Sequence, residues 1–577
     1  MVMKKIRLII VTVVALQYIG IAAATELDYQ TVTSERLEKP ADGEWLLYRR
    51  TYDSWGYSPL DEIRSDNVKS LKPLWTFSTG LNEAHQSPPL VNGRHMFITT
   101  PENHVLALDA KTGDMLWRYQ RELPDDLFQL HPTNRGVALY GDYVFLATVD
   151  AYLVALDAKT GEVVWEVEVE DYTAGYYMTL MPLAAEGKIM VGLSGGELGI
   201  RGFIQAFDAI TGESAWKTFL VPGPGEAGHE TWAGDSWKRG GISVWVTGSY
   251  DPETKLSYWG TGNAGPWVAD QRSGDNLYAN SVVAIDVTSG VIESHHQYHW
   301  NDAWDWDEVS SPLLIDIERQ GKKIKSLIHA GRNGYLWTLG RYGKEIGFVE
   351  AEPYVRQNVF SSIDPKTGRP TYHEDKVAGT GKRADFCPSI WGGKDWPPEA
   401  YSPKTGLLYI PANENLCSAL KGEPAVYRPG ELFLGMSFSS IEVYPHEQAT
   451  DHIGELQAWD LERGEKVWTV NFKSHNWGPV LATAGNVIFF GGTNDRVFRA
   501  LDATTGKLLW EQRTNSGIVG VPTSYEIDGK QYIAVLSGWG VDAQRKQDFL
   551  DKAFDTKTTV PQGGVLWVFG LDDPPGE

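Results

Sequence analysis

Cysteine is nearly absent: Cys387 and Cys417 are the two thiols in 577 residues. Two thiols cannot build an iron–sulfur cluster or a Cys-rich zinc site, and no C-x-x-C-H haem-attachment motif occurs. Positive charge is also short. Lys plus Arg number 52 against 75 Asp plus Glu, a formal net charge of −23. That field repels phosphate backbones and no basic patch offsets it, so nucleic acid is excluded as a partner. Beyond Ile21 no apolar run approaches the ~20 residues a spanning helix needs, so no stable membrane span is expected. Tryptophan is abundant instead, with 23 copies beside 60 Gly and 30 Pro. At 42% hydrophobic and 22% charged, the chain is neither a disordered polymer nor a polytopic membrane protein.

The first residues form an address. Lys4, Lys5 and Arg7 precede an apolar stretch from Leu8 to Ile21, and Ala22-Ala23-Ala24 follows. A basic start, a short apolar core and small residues make a signal peptide of bacterial character. Cleavage is expected before Thr25, which sends residues 25–577 to the periplasm. In that oxidising compartment Cys387 and Cys417 either pair or stay as buried thiols, and their being the only two favours pairing.

One pattern organises the rest: Ala-x-Asp, a Gly four residues after the Asp, and a Trp four beyond that. It reads ALDAKTGDMLW at Asp109, ALDAKTGEVVW at Asp157, AFDAITGESAW at Asp208, AWDLERGEKVW at Asp460 and ALDATTGKLLW at Asp502. AIDVTSGVIES at Asp286 lacks the Trp, and LGRYGKEIG and YSPKTGLLYI are worn copies. Asp and Thr cap a tight turn, Gly supplies a positive φ, and the Trp stands at a fixed place beside that turn. The flanking runs are short and β-rich, as in VFLATVD and NVIFFGG. Several strands per unit, with faces that one sheet cannot bury alone, predict an all-β protein, an eight-bladed β-propeller. Six clear copies and two worn ones supply the eight blades. Trp75 and Trp567 are expected to bring the ends together in one domain, 25–577.

These repeats resemble the tryptophan-docking motifs of the quinoprotein alcohol and methanol dehydrogenases. The likeness extends to segments between repeats, including GGELGIRGF, YWGTGN, WDWD, GRNG and CPS. It implies pyrroloquinoline quinone (PQQ) at the propeller axis beside one metal ion. A hard cation needs converging oxygen ligands, and Glu197, Asn263 and Asp305 lie in different blades, as an axial site requires. The resemblance makes these three the metal ligands and Asp305 also the general base. It places Arg332 on the quinone oxygens, where its charge would stabilise a developing oxyanion. Asp307, two residues after Asp305, is the mark of lanthanide-dependent members. A trivalent ion gains more from an extra carboxylate, so a lanthanide is favoured over Ca2+.

PQQ is a flat tricarboxylate and wants an aromatic face, cations and polar donors. The resemblance assigns Trp245 as its floor. It assigns Arg135, Thr179, Ser194, Gly195, Gly196, Ser243 and Trp477 as further contacts, and Cys387–Cys417 as a structural disulfide. Three positions depart from the pattern. Gln129-Leu130 replace adjacent cysteines, Gln86 stands where Glu is frequent, and Asp395 stands where Asn is common. The family reading implies an alcohol substrate, hydride transfer to the quinone, and an aldehyde or ketone product. Because the chain ends soon after GVLWVFGLDD without a haem domain, a separate periplasmic cytochrome c is expected as electron acceptor. A homodimer is left open. The competing reading is a non-catalytic periplasmic propeller scaffold, which shares the repeat but has no use for the ligand set.

Overall fold

The computed structural model describes residues 27, 29–319, 321–448 and 451–571. The expected signal peptide, residues 1–24, lies outside them.

Eight antiparallel sheets of four strands carry the described chain, one of them extended by a short fifth strand. In chain order, seven blades span 90–120, 138–168, 183–219, 249–297, 313–353, 400–472 and 480–513. The eighth joins Thr523–Ile527, Lys530–Ser537 and Val565–Leu571 to Leu71–Ser78 from the other end of the sequence. In that sheet Trp75 pairs with Val568 and Thr76 with Trp567, so the two expected tryptophans do close the ring.

The repeat works as its chemistry predicts. Asp157 Oδ1 accepts the backbone N–H groups of Lys159 and Thr160 at 3.0 and 2.9 Å, fixing the turn. The Trp of one blade then docks on the turn of the next. Trp117 Nε1 donates to Ala158 O at 3.0 Å, Trp216 Nε1 to Val287 O at 2.9 Å, and Trp510 Nε1 to Leu71 O at 3.0 Å. Gly161 shows why glycine is required. Its φ is +74°, and a Cβ there would stand 2.5 Å from the Trp117 ring.

One expectation needs correcting. YSPKTGLLYI is not a blade of its own. It is the first hairpin, Ala400–Ser402 to Leu407–Asn413, of the same sheet whose outer strands carry AWDLERGEKVW. The eighth blade is instead the closing one, which has no Ala-x-Asp copy. LGRYGKEIG does form a hairpin, joining the last two strands of the fifth blade.

Besides residues 220–248 and 261–280, three excursions leave the blades. Residues 354–399 connect the fifth and sixth sheets, and residues 414–453 interrupt the sixth. Their strands Arg383–Phe386 and Leu416–Lys421 pair with each other, and Cys387 is disulfide-bonded to Cys417. The third excursion is the helix Gly540–Phe554, inserted before the last strand. All three supply walls to a single cavity.

Candidate active site

The cavity is lined by residues from several blades and from the three excursions. Gln86, Arg135, Thr179, Ser194, Gly195, Glu197, Ser243, Trp245, Asp305, Asp307, Arg332, Asp395 and Trp477 all reach it. Asn263 joins them from behind, bonded to both acids of the WDWD segment. Gly196 packs beside Ser243, where a Cβ would lie 3.3 Å from the hydroxyl. The structure thus brings the whole expected set together.

Its acidic side is tightly organised. Asn263 Nδ2 donates to Asp305 Oδ1 at 2.9 Å, and its backbone N–H donates to Asp307 Oδ1 at 2.7 Å. With the amide nitrogen so used, the Asn263 oxygen is the atom left for a cation. Trp245 Nε1 donates to Asp307 Oδ2 at 2.9 Å. Burial, with the like charge of Asp307, pushes the Asp305 carboxyl well above the ordinary range. Burial pushes Asp307 up to about 6, with Glu197 adding to the rise and Arg332 opposing it. Burial and like charge act against ionisation of Asp305 and Asp307, so the site is short of positive charge, the chemistry a hard cation satisfies. Among the described residues no three His, Cys, Asp or Glu side chains make a metal cage by themselves. A cation here would need further oxygens, of which Asn263 offers one.

Asp305 holds a strained backbone, φ +62°. Asp302, fully buried, braces it: Asp302 Oδ2 accepts the N–H of Trp304 at 3.2 Å and of Asp305 at 3.0 Å, and His299 Nε2 lies 3.0 Å from Asp302 Oδ1. Glu308, equally buried, does the same for the facing loop. Its Oε2 accepts the Arg332 N–H at 3.0 Å and stands 2.7 Å from His329 Nε2.

The rest of the cavity suits a flat polyanion. Arg135 stands with its guanidinium carbon 4.6 Å from the Trp245 ring centroid, and its Nη1 donates to Thr179 Oγ1 at 2.6 Å. Thr179 and Ser194 hydroxyls are 3.0 Å apart. Arg135 Nε and Trp477 Nε1 are buried donors with no protein partner, and Gln86 Oε1 is a buried acceptor with none. A carboxylated heteroaromatic ligand would satisfy such atoms. Gly195, at φ +97°, lets the wall turn closely, since a Cβ there would meet Gly175 O at 2.1 Å.

Sequence reasoning missed the braces Asp302 and Glu308 and the whole helix Gly540–Phe554. Lys546 Nζ, on that helix, lies 2.8 Å from Asp395 Oδ2 and 3.3 Å from the Trp477 ring centroid. Asp542 meets His131 at 2.9 Å, and Arg545 Nη2 donates to Leu130 O at 3.3 Å, so the Gln129-Leu130 segment is tied to the helix. Leu130 lines the cavity as an apolar wall, as do Trp391 and Phe438 from the WGGKDW and LFLGMSF segments.

Fold and site together define an axial binding protein, a β-propeller whose centre is built for a flat anion and a hard cation. Residues 45–367 and 447–533 match the family model of the PQQ glucose/ethanol/alcohol dehydrogenase β-propeller domain. A quinoprotein alcohol dehydrogenase of Pseudomonas putida is 38% identical over 549 residues, covering 89% of each chain. The lanthanide-dependent methanol dehydrogenase of Methylacidiphilum fumariolicum is 36% identical, covering 88% of this chain and 86% of that one. A solved europium-containing methanol dehydrogenase superposes with a TM-score of 0.86 at 34% identity, over 93% of this chain and all of the other. The chain belongs to the PQQ-dependent alcohol dehydrogenase family.

Proposed function

We propose that this chain is a periplasmic quinoprotein that oxidises alcohols to aldehydes or ketones with PQQ and one lanthanide ion, and passes the electrons to a cytochrome c. The mature protein would be residues 25–577, after removal of the signal peptide. The observation that carries the reading is the joining of the acidic and aromatic halves of the cavity, Asp307 being bonded to both Asn263 and Trp245.

Glu197, Asn263, Asp305 and Asp307 would hold the metal. Trp245, Arg135, Thr179, Ser194, Ser243 and the Gly195-Gly196 backbone would seat the cofactor, with Gln86, Asp395 and Trp477 at its edges. When bound, PQQ would supply the hydride acceptor and the metal would supply Lewis acidity. Asp305 takes the hydroxyl proton, and its strained backbone, braced by Asp302, keeps that carboxylate in place. Arg332 supplies a fixed cation for charge that develops during the transfer. The fourth acid, Asp307, supports a trivalent ion over Ca2+ because each further carboxylate gains more from the higher charge. The apolar walls exclude water and favour an organic alcohol. The net charge of −23 would steer a basic cytochrome, a contact weakened by salt.

The test is dye-linked alcohol oxidation by the apo-protein given PQQ with either lanthanum or calcium. Turnover only with PQQ and lanthanum supports the full reading. Turnover with calcium alone keeps the enzyme and removes the role given to Asp307. No turnover and no quinone binding would favour the propeller scaffold.

A further inference from the structure

Asp395 sets a further buried carboxylate in a cavity already lined by Glu197, Asp305, Asp307 and Asp542, and that charge needs compensation. The structure shows what provides it. Asp395 is buried, and both its oxygens are engaged. Oδ1 lies 2.7 Å from Arg332 Nη2 and accepts the Trp396 N–H at 2.7 Å, while Oδ2 lies 2.8 Å from Lys546 Nζ. Although burial raises a carboxyl, the two cations hold this one well below its ordinary range. Lys546 is itself pinned, its ammonium seated on the Trp477 face.

The arrangement bears on Arg332, whose guanidinium has competing acceptors. Nη1 donates to Asp305 O at 3.2 Å, and Nη2 lies 3.7 Å from Asp307 Oδ2. A carboxylate held at one oxygen can rotate and carry the guanidinium with it. Held at both, it presents one fixed acceptor. We propose that Lys546, carried by the helix Gly540–Phe554, is a positioning residue: by sharing the Asp395 carboxylate with Arg332, it fixes where the Arg332 guanidinium stands in the cavity. Asp395 and Lys546 then form a matched pair, and the helix is part of the site. The inference rests on the role given to Arg332 above.

The experiment compares Lys546→Met, Lys546→Arg, Arg332→Met and the Lys546→Met/Arg332→Met double variant of the full chain. Quinone affinity is read by quenching of apo-protein tryptophan fluorescence, and kcat and alcohol KM are read separately with PQQ and metal. Lys546→Met is expected to lower kcat about 10-fold and weaken quinone binding about 5-fold with little change in alcohol KM. Lys546→Arg recovers most of both. In the Arg332→Met background, Lys546→Met adds nothing, because its effect passes through Arg332. An equal further loss in that background overturns the proposal, as does a Lys546→Met enzyme unchanged in both readouts. If Arg332→Met itself turns over normally, the role of Arg332 fails and the inference with it. If Arg332→Met is impaired and Lys546→Met is not, only the inference fails. Thermal melting checks each variant, and Lys546→Gln takes the place of Lys546→Met should the latter not fold.

Discussion

The indole N–H of Trp245 donates to Asp307 Oδ2 at 2.9 Å while the Asn263 backbone N–H holds Asp307 Oδ1 at 2.7 Å. The proposed cofactor floor and the proposed lanthanide ligand are thus one mechanical unit. Asp307→Ala should lower lanthanide-supported turnover at least about 100-fold, the scale of removing one partner from a buried charge pair. Calcium-supported turnover should persist or appear. Trp245→Phe keeps a ring and loses the donor, so metal affinity should fall about 10-fold, as for other outer-shell partners. Metal titrations of both variants check this, and an unchanged lanthanide response in Asp307→Ala would remove the metal assignment.

Asp305→Ala should abolish turnover. Asp302→Asn is the subtler change, because it keeps shape but weakens the bonds that hold Asp305 at φ +62°. A backbone so strained costs about 1–3 kcal/mol, and releasing it should cost about 10-fold or more in kcat. Alcohol KM should move less. Steady-state kinetics separate the two, and a change confined to KM would count against the brace.

Trp245→Ala should weaken quinone binding about 10-fold or more, given the roughly 1–3 kcal/mol that stacking of a flat heteroaromatic supplies. Arg135, now standing over that ring, would lose its aromatic partner as well. Equilibrium titration of the apo-protein with PQQ measures it. Unchanged affinity would dismiss the stacking role.

The disulfide Cys387–Cys417 closes a span of 30 residues, worth about 3–4 kcal/mol of chain entropy in the loop model. It also joins the two excursions that carry Trp391, Asp395 and Phe438 into the cavity. The Cys387→Ala/Cys417→Ala variant should therefore melt lower and release quinone faster. Equal quinone off-rates with a lowered melting temperature would restrict the bond to stability.

The docking units were legible because turn, glycine and tryptophan lie in one contiguous stretch, and each acts through local chemistry, as at Asp157 and Gly161. YSPKTGLLYI misled because Ser, Lys, Thr and Gly make a hairpin turn in any sheet, and nothing in the stretch tells which hairpin of a blade it joins. The same turn chemistry recurs unnoticed at Asp364, whose Oδ1 accepts the N–H groups of Lys366 and Thr367 in a small hairpin outside the blades. Proposed ligands such as Asn263 and Asp305 could be named from the segments around them. Asp302 could not be assigned its role, since a backbone brace has no signature beyond an acid three residues upstream. The helix carrying Lys546 is largely polar and meets Asp395 across 151 residues of sequence. Its apolar Ala543, Phe549 and Leu550 were the available hint, and they carry too weak a period to read alone.

The eighth sheet takes Leu71–Ser78 from near the start and sets it against Val565–Leu571, which in turn lies between it and Lys530–Ser537. During synthesis, then, seven blades can be complete while the molecule is still an open horseshoe with a bare apolar sheet face at each tip. Exposed apolar faces of that size invite association with another chain. Contacts this far apart in sequence also form late. Loss of the last strand would leave Leu71–Ser78 without its partner and both tips exposed. A nonsense mutation near the end of the reading frame should therefore yield aggregates rather than a shortened enzyme.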